Sequence, residues 1–73
     1  ERDAKSVLQE YLQSLGEDTP AYEIIAEDGP PHARVFTARV LRANGMELGQ
    51  GKGARKQRAE EAAAQMALRT LGR

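Results

Sequence analysis

The residues most able to do chemistry in this chain are cationic, and they crowd the start of one segment. The run Gly51-Lys52-Gly53-Ala54-Arg55-Lys56-Gln57-Arg58-Ala59-Glu60 puts Lys52, Arg55, Lys56 and Arg58 in or just before the opening turn of a helix. A helix N-terminus presents unpaired N–H groups and the positive end of the macrodipole, so it favours anions and disfavours cations. Cations gathered there imply an anion from outside, because local rules tend to be broken where a site functions. The alternative is a solvated charged face. The run lacks the Gly-x-x-x-x-Gly-Lys-Ser/Thr pattern of a mononucleotide-binding loop.

No catalytic constellation is legible. His32 is the single histidine. Ser6, Ser14, Thr19, Thr37 and Thr70 have no base and orienting group near them in sequence. Glu60 and Glu61 are adjacent on a helical segment, point about 100° apart and cannot converge on one metal ion, so they read as solvated helix surface. There is no cysteine, which excludes disulfides and thiolate zinc sites and suits a reducing compartment. No apolar run approaches the ~20 residues of a membrane span. A short chain of 73 residues makes one domain, 1–73, with a small core. Its start at Glu1-Arg2, without an initiator Met, reads as a piece excised from something longer.

The net charge of zero hides a division. Residues 1–31 carry two cationic and eight acidic side chains, a net −6, and residues 32–73 carry nine and three, a net +6. This fits a polyanionic partner for the second half, or simply a dipolar soluble domain.

The elements that must position these charges follow from periodicity. Ala4, Val7, Leu8, Tyr11, Leu12 and Leu15 form one apolar stripe and predict a helix over 4–15, with Asp3 as cap and Gly16 past the end. Its opposite face carries Ser6, Gln9, Glu10 and Gln13. Tyr22, Ile24 and Ala26 alternate with Glu23 and Glu27, predicting a strand over 21–27. Gly29-Pro30-Pro31 predicts a loop over 28–32. In a strand over 34–42, Phe36, Ala38 and Val40 face one way and Val35, Thr37, Arg39 and Leu41 the other. Asn44-Gly45 predicts a two-residue hairpin turn, and 46–50 a third strand. A glycine-containing loop over 51–54 then leads to a helix over 55–71, with Ala59, Ala62, Ala63, Met66, Ala67 and Thr70 as its stripe. The expected fold class is α+β: an α-β-β-β-α sandwich with both helices on one face of a three-stranded antiparallel sheet.

Taken together, these residues resemble the double-stranded RNA-binding domain, most closely the C-terminal domain of bacterial ribonuclease III. The resemblance is carried by Asp3-x-Lys5-Ser6-x-Leu8-Gln9-Glu10-Tyr11-Leu12-Gln13, Pro20-Ala21-Tyr22, Gly29-Pro30-x-His32-x-x-x-Phe36 and Gly51-x-Gly53-x-x-Lys56-x-x-Ala59-Glu60-x-x-Ala63-Ala64. It implies three contact surfaces on A-form RNA. Ser6, Gln9 and Glu10, with Gln13 at the edge, would enter one minor groove, and Pro30, Pro31 and His32 the next. Arg55, Lys56 and Gln57, with Lys52 and Arg58 beside them, would meet phosphates across the major groove. The wide minor groove displays 2′-hydroxyls that donate and accept, which suits Gln, Glu and backbone carbonyls; the deep major groove offers side chains only phosphates, and such a domain spans ~16 bp. Two positions depart from the family pattern: Arg55 stands where Ser is common, and Gln57 where Lys or Arg is usual. Gln57 can hydrogen-bond to a phosphate but releases no counterion.

The resemblance further implies a parent with double-strand-specific endoribonuclease activity, acting as a homodimer in the cytoplasm. The Mg²⁺ and the chemistry would lie in a separate domain, so that these residues cleave nothing and need no cofactor, membrane or small-molecule ligand. The alternatives are a stand-alone RNA-binding protein and a protein–protein module of the same fold, paired through Ile25, Val35 and Leu41. With one Phe and no Trp, single-strand recognition through stacked aromatics is not expected. Phe36, Tyr22 and Tyr11 read as core or core-edge residues.

Overall fold

The computed structural model describes residues 3–73; Glu1 and Arg2, counted above in the acidic half, lie outside the described residues. The order is α1 (Ala4–Ser14), β1 (Ala21–Asp28), a single 3-10 turn (Pro31–Ala33), β2 (Val35–Leu41), β3 (Glu47–Gly53) and α2 (Lys56–Thr70). The three strands form one antiparallel sheet in the order β1-β2-β3. Helix α2 lies across it, against all three strands and most extensively β3, and α1 packs on α2.

Helix α1 buries Ala4, Leu8 and Leu12 in the core with Ala38, Val40, Leu48 and the alanines of α2. Tyr11 is partly buried against that core, whereas Leu15, expected in the stripe, is exposed. The reason is that the helix ends at Ser14. Gly16, at φ +82°, donates to the Gln13 carbonyl and Glu17 to that of Leu12, a Schellman closure that turns Leu15 out of the last helical turn.

The strands deviate from their expected bounds in instructive ways. Ala38 and Val40 are buried and Phe36 packs on the core as the alternation requires. Thr37, on the opposite face, is nonetheless only 7% exposed, because it sits in the central strand between Ala26 and Lys52. Each edge strand carries one extra residue: the register shifts between Ile24 and Ala26 in β1, and Leu48 is left over in β3 between the pairs Val40–Gly49 and Leu41–Glu47. Leu48 is buried by that bulge. The hairpin between β2 and β3 is not a two-residue turn. Arg42 and Met46 close it, the Gly45 amide donates to the Arg42 carbonyl, and only Gly45 has positive φ (+89°). A type I′ turn would need positive φ at Asn44 as well; instead Asn44 uses its side-chain oxygen to accept from the Met46 amide at 2.9 Å.

The largest correction concerns the expected loop over 51–54. Residues through Gly53 belong to β3, and Gly49, Gly51 and Gly53 all face α2. A Cβ on Gly49 would lie 2.8 Å from the Ala67 amide nitrogen, one on Gly53 2.7 Å from that of Ala59, and one on Gly51 inside the backbone of Ala62 and Ala63. Three alternate glycines therefore form a flat track on which the buried Ala59, Ala63 and Ala67 of α2 rest. Ala64 completes the buried set, while Met66 and Thr70, expected in the stripe, are exposed. The track lets helix and sheet approach more closely than side chains on both sides would permit.

Candidate nucleic-acid interface

Helix α2 starts without a cap. Arg55 occupies the N-cap position in extended backbone, makes no side-chain cap hydrogen bond, and no acidic residue follows in the first turn. The amides at the start of α2 therefore lack the acceptor that Asp or Ser would supply. Arg55, Lys56, Gln57 and Arg58 are all exposed. Among the described residues none of these three cations is held in an ion pair. Lys56 is instead steered by an aromatic face, its Nζ lying 5.9 Å from the centre of the Phe36 ring. Phe36 pairs with Gly53 across the sheet, so the head of β2 and the head of α2 sit together.

Lys52 does not join this group. Because Gly51 and Gly53 face α2, the period of two sends Lys52 to the open side of the sheet, opposite Thr37. The expectation that it lies beside Arg55 and Lys56 rested on a loop where the chain forms a strand.

The turn that carries Pro30, Pro31 and His32 lies just upstream of Phe36. All three residues are exposed. The turn is rigidified by the Ala33 amide donating to the Pro30 carbonyl at 2.9 Å. Gly29 enters it at φ +88°, where a Cβ would sit 2.6 Å from the Ala33 oxygen, so only glycine allows the reversal.

Ser6, Gln9, Glu10 and Gln13 are exposed on α1. Asp3 caps this helix, accepting from the Ser6 amide at 2.9 Å. Its first two amides are satisfied from α2: Glu61 accepts from Ala4 at 2.6 Å and from Lys5 at 3.3 Å. Lys5 Nζ in turn bridges to Glu60 at 2.6 Å and lies 4.7 Å from the Tyr22 ring centre. Glu60 and Glu61 are thus half-buried joints between helices, and the expectation of plain solvated surface is corrected. Sequence reasoning had no signal for this, since the partners are 55 to 57 positions apart. The Tyr22 hydroxyl is buried beside this joint and has no hydrogen-bond partner among the described residues. Burial, reinforced by the Glu60, Glu61 and Asp3 carboxylates, pushes its pKa up to about 12.

Helix α1 is therefore tied to α2 by the Glu60 and Glu61 contacts, and Phe36, four residues beyond His32 in the chain, lies beneath Lys56. Elsewhere, Arg39 bridges Glu23 at 2.7 Å and Glu47 at 3.6 Å across the open face of the sheet. Arg42 makes a two-pronged pair with Glu17, at 2.6 and 3.1 Å, that ties the α1–β1 loop to the β2–β3 hairpin. Ile25 and Val35 are exposed, and Leu41 is half-buried. Among the described residues no group of three or more His, Asp or Glu is placed to hold a metal ion, and no helix is long and apolar enough to cross a membrane.

Comparison with known proteins decides the family, because a model of the double-stranded RNA binding motif matches residues 4–71. The chain belongs to that family. This RNA-binding-motif domain is 54% identical over 69 residues to ribonuclease 3 of Geobacillus thermodenitrificans, covering 94% of the domain and 28% of that protein. Ribonuclease 3 of Magnetococcus marinus is 44% identical over 70 residues, with 96% and 28% covered. The domain thus spans little more than a quarter of these relatives. A solved structure of Arabidopsis HYL1, described for its implications for miRNA processing, matches with a TM-score of 0.80 at 38% identity, covering 96% of the domain and 97% of that chain. The α-β-β-β-α order and three-stranded antiparallel sheet expected from the sequence are those of the family.

Proposed function

We propose that the domain binds A-form double-stranded RNA with little sequence preference, and that in a longer parent it holds the duplex for a double-strand-specific endoribonuclease. The observation that carries this is the uncapped, cationic start of α2, accompanied by two exposed surfaces of a different kind. Arg55, Lys56 and Arg58, with the free amides behind them, suit phosphates, whereas Ser6, Gln9, Glu10 and Gln13 on α1 and Pro30, Pro31 and His32 in the turn suit 2′-hydroxyls and base edges. Glu10 beside a polyanion is reasonable only if it accepts hydrogen bonds from hydroxyl or amino groups, and the 2′-hydroxyl is a donor that DNA lacks. Likeness to the ribonuclease 3 relatives supports the parentage. In that parent the Mg²⁺ and the cleavage chemistry belong to a domain other than this one.

The test is a titration of matched RNA, DNA and hybrid duplexes at two salt concentrations. RNA should bind best, and log K should fall linearly with log salt at ~0.7–0.9 per phosphate contact. Equal affinity for the DNA and RNA duplexes would overturn the reading.

A further inference from the structure

We infer that Glu61 is a positioning residue for duplex discrimination, a reading that rests on the function proposed above. Its carboxylate is the acceptor for the first two amides of α1, at 2.6 and 3.3 Å, although it belongs to α2. An α1 capped only by Asp3 would keep its helical start but would be free to shift against α2 at that end, where Glu60 and Glu61 make the polar contacts between the two helices. The bond from Glu61 removes that freedom at the end of α1 that bears Ser6 and Gln9. Lys5 reinforces it, held between the Glu60 carboxylate and the Tyr22 ring. Glu61 lies five positions beyond Lys56, so the same short stretch of α2 that would grip phosphates also sets the place of the α1 face. The distance between a phosphate contact and a 2′-hydroxyl contact separates A-form RNA from other duplexes. A joint that fixes the spacing of the two surfaces should therefore act on discrimination more than on the electrostatic part of binding. Glu61 touches no nucleic acid in this scheme; it acts through α1.

The experiment compares wild type with Glu61→Ala, Glu61→Gln and Glu61→Asp at a temperature where circular dichroism shows each fully folded. Leu48→Ala, a core truncation in β3 away from the joint, serves as the control. Each variant is titrated with RNA and hybrid duplexes at several salt concentrations, and amide exchange is followed at Ala4 and Lys5. Glu61→Ala should expose those two amides and narrow the RNA-to-hybrid ratio by about tenfold, the size of one hydrogen bond to a charged group. Its salt slope should match wild type, because no cation is changed. Glu61→Gln, which keeps an acceptor oxygen at the same reach, should recover most of the ratio. Glu61→Asp, which keeps the charge but withdraws it, should not, and it decides the matter should the alanine variant fail to fold. An unchanged ratio in Glu61→Asp or Glu61→Ala, or an equal narrowing in Leu48→Ala, overturns the inference while leaving duplex binding standing. A wild type without RNA preference overturns the proposed function instead, and this inference with it.

Discussion

Helix α1 begins with its leading amides closed by protein: Ala4 and Lys5 donate to Glu61, Ser6 to the Asp3 carboxylate and Val7 to the Asp3 carbonyl. Helix α2 begins with an Arg at the N-cap, no side-chain cap and no acid in its first turn. The two starts lie in one small molecule and obey opposite rules. The α1 start is a part-buried joint, where an unpaired N–H would cost up to ~1–3 kcal/mol, so carboxylates from two elements converge on it. The α2 start faces solvent and keeps its donors available. Its cations oppose the helix dipole, each at a cost of ~0.3–1 kcal/mol. What holds α2 in place is close packing on the track of Gly49, Gly51 and Gly53, which needs no polar group at the helix start. The chain thus separates anchoring from recognition: α1 is anchored by polar bonds at its start, α2 by apolar contact along its length, leaving its start for a ligand.

The harshest way to break the comparison is to strip the open start of charge. Replacing Arg55, Lys56 and Arg58 together by Ala should lower affinity for duplex RNA by about 100-fold and reduce the salt slope by about 2 to 3. Thermal stability should hold or rise, since three unfavourable charge–dipole contacts disappear. Filter binding across a salt series with parallel calorimetry checks both, and a slope unchanged from wild type would remove the head of α2 from the interface.

The packing half of the comparison is tested at the middle of the glycine track. Gly51→Ala places a methyl where Ala62 and Ala63 already are, so α2 must lift from the sheet. Overpacking of this kind costs typically about 1–3 kcal/mol, read as a lower urea midpoint. The same substitution at Gly45, which meets nothing within 4 Å, should cost only what its positive φ demands. A Gly51→Ala loss no larger than that at Gly45 would show that the track is not what seats α2.

Converting the open start into a closed one gives effects of opposite sign. Arg55→Asp supplies the missing cap and an anion at the dipole's positive end, and should stabilise the fold by about 0.5–2 kcal/mol. The same change should weaken RNA binding, because it fills the anion site with a carboxylate. Stability and affinity that move together would contradict this division of labour between the two helix starts.

How much of this was legible beforehand depends on the range over which each feature is encoded. Helix α1, the alternation of Phe36, Ala38 and Val40, and the basic head of α2 are written in local periodicity and were read from it. The Gly51-Lys52-Gly53 segment reads as a loop because glycine taken alone signals a turn, whereas the chain there forms the end of β3. Only the alternation of Gly49, Gly51 and Gly53 against alanines four apart in α2 shows a helix pressing on a strand. The same reading misplaces Lys52, since a strand sends it to the other face of the sheet. Glu61 had no local mark at all. Its meaning comes from amides at the far end of the chain, and only the packed tertiary structure brings them together.

The smallest predicted effect probes the closed joint itself. Tyr22 lies against Lys5 with its hydroxyl buried and unpaired among the described residues, in the field of Glu60 and Glu61. Its pKa in the fold is about 12, above the ordinary value of 10.0. The neutral phenol is therefore favoured by folding. The stability it contributes is complete below pH 10, where folded and unfolded chains are both protonated, and is lost as pH rises through 10 toward 12, where the unfolded chain ionises first. Tyr22→Phe removes the titrating group and an unsatisfied donor while keeping the ring under Lys5. At pH 7 the variant should unfold at a urea midpoint equal to or slightly above wild type. Between pH 10 and 11 it should lose less stability than wild type. A Tyr22→Phe variant clearly weaker at pH 7 would mean that the hydroxyl has a partner, and that the joint between α1 and α2 contains one more polar bond than the three made by Glu60 and Glu61.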